Sequence, residues 1–263
     1  MKIEEIPKNR AIRFIHKYHY SKILPRLTKY YIGFIEDSEL VGVVTLGWGT
    51  QPLQTIQKLF PDEGFTTDDY FEIGKMCFKP SKNDSNFGSQ AISQLISWIK
   101  HNLDIKFLYT LADGIMGKCG YVYQASNFIY LGSFKTDVYM DEKTGEKIHP
   151  RSARSLLEEN AEWSGKSKIY WLTHDFCEYK EIARIRGLMF RYIYPMNRKY
   201  RKLVLKKYGN LDYPKEDDLI FDKRVEKGKY EQIPQPNFDM NVFNHNYQDW
   251  GINKNSKKWF DFK

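Results

Sequence analysis

The chain has 263 residues, 41 Lys and Arg against 33 Asp and Glu, and a formal net charge of +8. Its 17 Phe, 19 Tyr and 6 Trp offer far more surface for burial than a disordered chain has, so the composition excludes wholesale disorder and predicts a packed core. The longest stretch without charge, 40–57, contains Gly, Pro and polar residues, which excludes a membrane-spanning helix there.

The first part of the chain predicts a helix followed by three strands. Apolar residues recur at helical spacing after Pro7, so we expect an N-terminal helix that ends at His19-Tyr20-Ser21. Two β-rich runs, 30–35 and 40–46, predict a hairpin. A third strand is predicted over 71–79.

Helices and strands alternate further along. The segment 47–69 has the composition of a loop. Apolar residues on one face of 88–101 predict an amphipathic helix. A short strand is predicted over 105–112, followed by a helix over 121–130 and strands over 133–140 and 146–148.

This element order predicts an α/β (α+β) fold, in which a mixed central sheet is flanked by helices. We expect one catalytic domain over 1–208, with a basic C-terminal extension at 180–207. The residues 209–263 are richer in Pro, Asn, Asp and Gln, so we expect an extended tail packed on the domain.

Cysteine usage and the start of the chain indicate an intracellular protein. Cys77, Cys119 and Cys177 are odd in number and widely spaced, which fits neither a disulfide framework nor a CxxC metal site. We expect them to be reduced and mostly to fill the core. No apolar run follows the first five residues, so we expect no signal peptide.

The net charge is concentrated in one segment. Between Lys180 and Lys207, ten basic residues accompany one acidic residue, Glu181, so this segment carries +9 and the rest of the chain sums to −1. Aromatic residues are interleaved with these cations. The pattern indicates a surface for a polyanion with rings that can stack on bases, while a solvated basic face is the alternative.

The start of the 88–101 helix predicts an anion site. Asn83, Ser85 and Asn86 precede the helix, whose first backbone N–H groups have no partner within it. An ordinary capped helix start is the alternative, because Asp84 would repel an anion.

Four separated motifs resemble those of the Mom DNA-modification proteins of phages, in that family's order and at about its spacing. The resemblance extends over 9–214, and its most specific part is the block 112–132. The family's usual Arg is replaced by Lys75, and Lys118-Cys119 stands where the family commonly has a His. The motifs are His19-Tyr20-Ser21, Phe71-Glu72-Ile73-Gly74-Lys75, Ala112-Asp113 with 120–132, and His149-Pro150-Arg151-Ser152.

The resemblance implies a GNAT-type acyltransferase fold that acts on double-stranded DNA. It implies addition of a carbamoylmethyl group to the exocyclic amine of adenine, in the cytoplasm of the infected bacterial host, as protection of phage DNA from restriction. It implies acetyl-CoA as the cofactor, and no membrane partner. The implied site residues are His19, Tyr20, Asp113 and Glu72 for catalysis, Gly88, Ser89, Tyr123 and Lys75 for the cofactor, and Arg151, Arg191, Arg198, Lys199, Arg201 and Lys202 for DNA.

Modification of the adenine amine requires that the amine be accessible to the enzyme. The exocyclic amine of adenine is a poor nucleophile because its lone pair is delocalised, and stacked neighbours block attack perpendicular to the base. We therefore expect the base to be extruded into an aromatic pocket. Tyr20, Tyr30, Tyr31 and Trp48 are the expected walls.

Two interpretations of His19, Tyr20 and Asp113 remain open. As a proton-transfer set, His19 or Asp113 accepts the amine proton while Tyr20 supports developing charge. As a metal set, the three offer N and O ligands suited to iron. Simple helix and turn capping is the structural alternative. Glu72 either orients the pocket or contacts DNA, or else pairs with Lys75.

Two other function classes stay open at this level. One is a GNAT enzyme that acetylates a protein or small-molecule amine, which would not need the +9 segment. The other is a DNA-binding protein without enzymatic activity. The sequence does not determine the oligomeric state.

Overall fold

The structure, a computed structural model, describes residues 1–21, 24–82, 86–150 and 153–242. The chain forms two compact units. Unit 1 contains Met1–Lys135 and Leu188–Leu219, and unit 2 contains Thr136–Gly187 and the residues from Ile220 onward.

Unit 1 holds most of the helices and strands. They are β1 (Lys2–Glu5), α1 (Lys8–Tyr18), β2 (Leu27–Glu36), β3 (Glu39–Trp48), α2 (Pro52–Leu59), β4 (Tyr70–Phe78), α3 (Phe87–Asn102), β5 (Phe107–Asp113), α4 (Tyr121–Ala125), the first part of β6 (Ile129–Asp141), the last part of β8 (Ile182–Pro195) and α7 (Arg198–Tyr208). The strands follow the order β1-β2-β3-β4-β5-β8 in one sheet. All neighbours are antiparallel except β4 and β5, which are parallel. The predicted mixed α/β class is confirmed.

Helices cover both faces of this sheet. The predicted apolar face of α3 is buried against β2–β5, with Ala91, Leu95 and Ile99 fully enclosed. On the other face, one cluster joins α2 and α7 to Tyr70 and Phe107, and a second cluster joins α1 to β3 and β4. The predicted amphipathic helices are confirmed at α1 and α3.

Strands β4 and β5 separate halfway along their length. Their parallel register runs from Tyr70↔Phe107 to Ile73↔Thr110, after which β4 continues to Phe78 and β5 to Asp113 without pairing. Gly74 is an extra residue in the β3–β4 ladder, where Thr45 faces Lys75 and Leu46 faces Ile73. Such a bulge bends a strand. The two strands therefore diverge at this gap.

Unit 2 is built around its own apolar cluster, which contains Tyr139, Leu156 and Phe176. Its elements are the remainder of β6 and β8, β7 (Lys147–Ile148), α5 (Arg154–Trp163), α6 (His174–Tyr179), β9 (Phe221–Glu226) and β10 (Lys229–Gln232). Strand β7 pairs with β6, and β9 pairs with both β8 and β10.

Several predicted elements differ from the structure. The predicted loop 47–69 contains α2, where Pro52 occupies the first helical position that tolerates proline. The predicted helix 121–130 ends at Ala125, because Asn127 has a φ of 61° and the chain enters β6 at Ile129. The predicted tail 209–263 contains the β9–β10 hairpin, and residue 208 does not separate the two compact units.

Two simpler expectations can be compared directly with the structure. Cys77, Cys119 and Cys177 are buried free thiols, as predicted. Within the described residues, no helix combines the length and the apolar character needed to cross a membrane.

Candidate active site

The two motifs His19-Tyr20-Ser21 and Ala112-Asp113 meet beside the gap between β4 and β5. Helix α1 ends at Tyr18, and His19 takes an extended conformation while its N–H still donates to the Ile15 carbonyl. Asp113 is the last residue of β5, just past the point where that strand leaves β4. The side chains of Tyr20 and Asp113 are hydrogen-bonded to each other.

Tyr20 is a neutral phenol in this arrangement. Burial, the negative charge of Asp113 and the hydrogen bond to Asp113 raise the pKa of Tyr20 well above its usual value. The phenol O–H therefore donates to the carboxylate of Asp113, which leaves that carboxylate with lone pairs for a substrate proton.

The ring of Tyr20 is held by two further side chains. The His19 ring stacks on it at a centroid distance of 4.4 Å, and Lys118 Nζ lies 4.2 Å from its centroid. His19 is only 8% exposed, and its Nδ1 accepts a hydrogen bond of 2.9 Å from the Ser21 N–H. A neutral His19 thus carries its proton on Nε2.

Lys75 brings a second cation to this group from β4. Its Nζ donates to Ser21 Oγ at 2.9 Å, and its backbone N–H donates to Thr45 Oγ1 at 2.9 Å. The Gly74 bulge directly precedes Lys75 and needs a glycine, because a Cβ there would lie 2.7 Å from Pro25.

Tyr123 supports the group from α4. Its electrostatic effect on Tyr20 places it close by, and its own hydroxyl lies near Thr110. Burial raises the pKa of Tyr123, so this phenol also stays neutral.

The motif block 112–132 is fastened to β8 and to 212–215. Gln124 Nε2 donates to the Pro214 carbonyl at 2.9 Å and to the Tyr192 hydroxyl at 3.1 Å. Gly120 has a φ of 87°, and a Cβ there would lie 2.7 Å from the Tyr192 ring. The glycine, the glutamine and the tyrosine thus fix the turn between Asp113 and α4.

The sequence model described as the Mom protein family matches residues 1–215. The chain belongs to the Mom protein family. It is also 26% identical over 218 residues to the protein named methylcarbamoylase mom of Escherichia phage Mu, covering 82% of this chain and 84% of that protein.

Among solved structures, the chain resembles two staphylococcal acetyltransferases. A probable acetyltransferase of Staphylococcus epidermidis matches with a TM-score of 0.36 and 12% identity, over 74% of this chain and 99% of that one. An N-acetyltransferase of Staphylococcus aureus Mu50 matches with a TM-score of 0.33 and 14% identity, over 64% and 68%.

The start of α3 holds the two other predicted cofactor residues of this Mom-family protein. Gly88 lies against α4, since a Cβ there would be 2.9 Å from Val122. The Ser89 hydroxyl donates to the Asn86 carbonyl at 3.0 Å. Residues 83–85, part of the predicted anion site, lie outside the described residues, as do Arg151 and Ser152.

Iron does not fit His19, Tyr20 and Asp113 as they are arranged. A tyrosine ligand binds as phenolate, whereas Tyr20 is a phenol that donates to Asp113 and has a raised pKa. No group of three or more His, Cys, Asp or Glu side chains suited to a metal ion occurs within the described residues. The iron interpretation is not supported, and we derive no step through a metal.

Glu72 lies on the face of the sheet opposite helix α3. Its neighbours in β4, Phe71 and Ile73, belong to the core against α3, so Glu72 points away from that core, towards the face that holds Tyr70 and Tyr109. There its carboxylate accepts a hydrogen bond from the Gly49 N–H, while burial raises its pKa to about 7. By the same alternation, Asp113 of β5 lies on this face as well, together with Tyr109.

Glu72 should make the protein less stable as the pH rises. Because its pKa is higher in the folded than in the unfolded state, the folded protein holds this proton more tightly, and the free energy of unfolding falls between the two pKa values, from about pH 4.5 to about pH 7. Allowing for partial exposure, we expect a loss of about 2 kcal/mol. Denaturant titrations at pH 5 and pH 8 should show this loss for wild type and for the exposed control Glu63→Gln, but not for Glu72→Gln.

The predicted aromatic walls are mostly engaged in the core. Tyr30 packs edge-on against Phe71 at 5.5 Å, and Trp48 packs against the same ring at 4.9 Å. Trp48 Nε1 also donates to the Tyr70 carbonyl at 3.0 Å. Of the four predicted walls, Tyr20 is the one that contacts Asp113.

The +9 segment is divided between the two units. In unit 2, Lys180 forms an ion pair with Glu159, while Arg184 and Arg186 both bind Asp137. Burial alone would raise the pKa of Asp137, but the two guanidinium groups lower it below its usual value. All three cations therefore have acidic partners within the protein, and Arg184 and Arg186 share one carboxylate.

Helix α7 carries the rest of the charge at the surface of unit 1. Its inner face packs through Val204 and Tyr208, whose hydroxyl donates to the Leu59 carbonyl at 2.8 Å. Its outer face has six exposed cations, Arg198, Lys199, Arg201, Lys202, Lys206 and Lys207. Four of these are the DNA-binding residues expected from the sequence.

Arg191 is placed differently from those four. It is half-buried on β8, where its guanidinium faces the Gly132 carbonyl at 3.5 Å. Burial raises the pKa of Tyr208, and the charge of Arg191 offsets only part of that rise. Sequence reasoning assigned no role to Lys118, which contacts the Tyr20 ring. Its position between Asp113 and Gly120, inside the most specific motif block, could have indicated that it lies at the site.

Proposed function

We propose that this protein modifies adenine in double-stranded DNA by adding a carbamoylmethyl group to the exocyclic amine. Family membership supports this function. The observation that carries it is the hydrogen bond from the neutral phenol of Tyr20 to the carboxylate of Asp113, beside the point where β4 and β5 diverge. The exposed cations of α7, in the same unit, supply a surface for the DNA backbone.

Asp113 is the proposed general base. The adenine amine becomes nucleophilic only as it loses a proton, and a carboxylate within hydrogen-bond reach accepts that proton in the transition state. Tyr20 fixes one lone pair of Asp113 and so orients the carboxylate. His19 and Lys118, which contact the Tyr20 ring, are positioning residues for the phenol.

Lys75 and Lys118 supply positive charge to this site. Fixed cations attract an anionic donor such as an acyl-CoA and hold it beside the amine. Lys75 is anchored on Ser21, so its ammonium group is fixed before the substrate binds.

An acyl-CoA is the cofactor that we propose for the residues around the gap. When bound, it would supply a two-carbon acyl group, whereas the amide nitrogen of the carbamoylmethyl group would come from a second donor, and joining the acyl methyl carbon to the adenine amine requires a two-electron oxidant. The diverging strands β4 and β5 border the space for it, while Gly88 and Ser89 at the start of α3 and the Tyr123 phenol would contact the coenzyme. Lys75 would bind its anionic part.

The DNA must be opened before the amine can reach Asp113. Extrusion of one base costs a few kcal/mol, about the energy of unstacking, which the backbone contacts have to offset. The proposed setting is the cytoplasm of an infected bacterium, where the modified phage DNA would resist host restriction.

The test is nucleoside mass spectrometry of DNA from bacteria that express the chain. We expect deoxyadenosine heavier by one carbamoylmethyl group in place of a hydrogen, and unmodified deoxyadenosine with Asp113→Asn. The exposed Asp104→Asn is the matched control and should behave like wild type. An unchanged set of nucleosides with soluble wild-type protein contradicts the proposal, and an acetyl increment would favour plain acetyl transfer.

A further inference from the structure

A second basic segment lies at the start of the chain. Residues 6–35 contain seven Lys and Arg and no Asp or Glu. The balance over the whole chain conceals this segment, because acidic residues elsewhere cancel its charge. It includes α1, and this helix leads directly into His19 and Tyr20.

Helix α1 separates its apolar and charged side chains. Ala11, Ile12, Phe14 and Ile15 are buried against the sheet. The opposite face exposes five polar side chains, none of them acidic: Lys8, Asn9, Arg10, Arg13 and Lys17. Tertiary packing thus directs every cation of this helix outward.

Three of these cations form one row. Arg10, Arg13 and Lys17 are three and four residues apart, so they lie on the same stripe of the helix. The row is about 10 Å long at about 1.5 Å per residue. One strand of duplex DNA has a phosphate about every 3.4 Å along the axis, so the row matches about three phosphates.

The row borders a surface groove. Its cavity has a volume of about 480 Å³; Pro7, Phe14 and Leu40 form its apolar part, and Asn9, Arg10, Arg13, Lys17 and Tyr18 form the rest of its lining. Asn9 and Tyr18 add hydrogen-bonding groups of the kind that contact phosphate oxygens.

We propose that this α1 groove binds the phosphate backbone of the DNA whose adenine is modified. The inference rests on the proposed function and adds a second DNA contact to α7. Chain connectivity fixes its place, since Lys17 and Tyr18 precede His19 and Tyr20. A backbone bound here passes beside the site, where the strand must be held while one base is extruded.

Charge and packing select this occupant. A basic helix that binds membranes needs an exposed apolar face, whereas the apolar face of α1 is buried. A row of cations without acids complements a continuous polyanion.

Duplex binding measured by fluorescence anisotropy over a range of KCl concentrations tests the inference. We expect the Arg10→Gln/Arg13→Gln/Lys17→Gln variant to reduce the slope of log K against log salt by about 2 to 3, at about 0.9 per phosphate contact. The single Lys17→Gln variant should reduce it by about 0.9, so the test does not depend on the folding of the triple variant.

Three exposed lysines away from α1 provide the matched control, as Lys100→Gln/Lys135→Gln/Lys227→Gln. This variant should change the slope much less. Wild-type slopes for the triple and single α1 variants would overturn the inference, as would anionic lipid vesicles that bind α1 while duplex DNA does not. Failure of the proposed function has another signature, namely unmodified deoxyadenosine while DNA binding still depends on α1.

Discussion

Asp113→Asn should lower the rate of adenine modification by about 100-fold or more, the usual contribution of a positioned general base. The amide keeps the size of the side chain and can still accept from the Tyr20 phenol, so the fold and the binding of DNA should be retained. It lacks the charge that takes up the amine proton. The measurement is a single-turnover time course on duplex DNA with purified protein.

Two further variants show whether Asp113 acts through proton transfer. Asp104→Asn, at an exposed position, should react at the wild-type rate. Tyr20→Phe removes the hydrogen bond while it leaves the carboxylate, so its loss should be smaller, about 10-fold, the lower end for a hydrogen bond to a charged group. Normal activity of a folded Asp113→Asn protein would remove Asp113 from the catalytic role.

Neutralising α7 should produce the largest effect on DNA binding. The variant Arg198→Gln/Lys199→Gln/Arg201→Gln/Lys202→Gln removes four exposed cations. We expect the slope of log K against log salt to become shallower by about 3 to 4, and affinity at low salt to fall on the order of 100-fold. The salt titration described for α1 measures both.

The same lysine control serves here, and the inner face of α7 gives a reason to expect a folded variant. Val204 and the Tyr208–Leu59 hydrogen bond are untouched by the four substitutions. An unchanged salt dependence in this variant would show that α7 does not face the DNA, and would leave α1 as the remaining basic surface.

Local patterns predicted those elements whose side chains repeat regularly. Helices α1 and α3 have enough apolar residues to define a face, and the β2–β3 hairpin has two long β-rich strands. Helix α2 has eight residues with two fully enclosed side chains and begins with a proline, so its pattern looked like that of a loop. The start of β6 depends on pairing with distant strands, which periodicity does not reveal.

The candidate site was partly predictable for a related reason. Motif spacing indicated Tyr20 and Asp113, and the structure brings them together. Glu72 came from the same kind of motif, and only the alternation of strand β4 shows that it lies on the face opposite α3. Which cations remain available for DNA depends on tertiary partners such as Asp137, which no local pattern identifies.

The net charge of a segment does not show which of its cations are available at the surface. The sequence placed the whole excess at 180–207, but part of that segment is neutralised in unit 2. The apparent neutrality elsewhere concealed the cations of α1. Unit 1, which contains Tyr20 and Asp113, therefore carries two basic helices, α1 and α7.

The most direct test of adenine modification uses duplex DNA labelled with nitrogen-15 at the exocyclic amine of adenine. Purified protein is incubated with this DNA and a bacterial extract that supplies cofactors, and the digested nucleosides are fragmented in a mass spectrometer. We expect a carbamoylmethyl group bonded to the labelled nitrogen with the wild-type protein, and no such group with Asp113→Asn. A group on a ring nitrogen, a group on another base, or fully unmodified deoxyadenosine would contradict it.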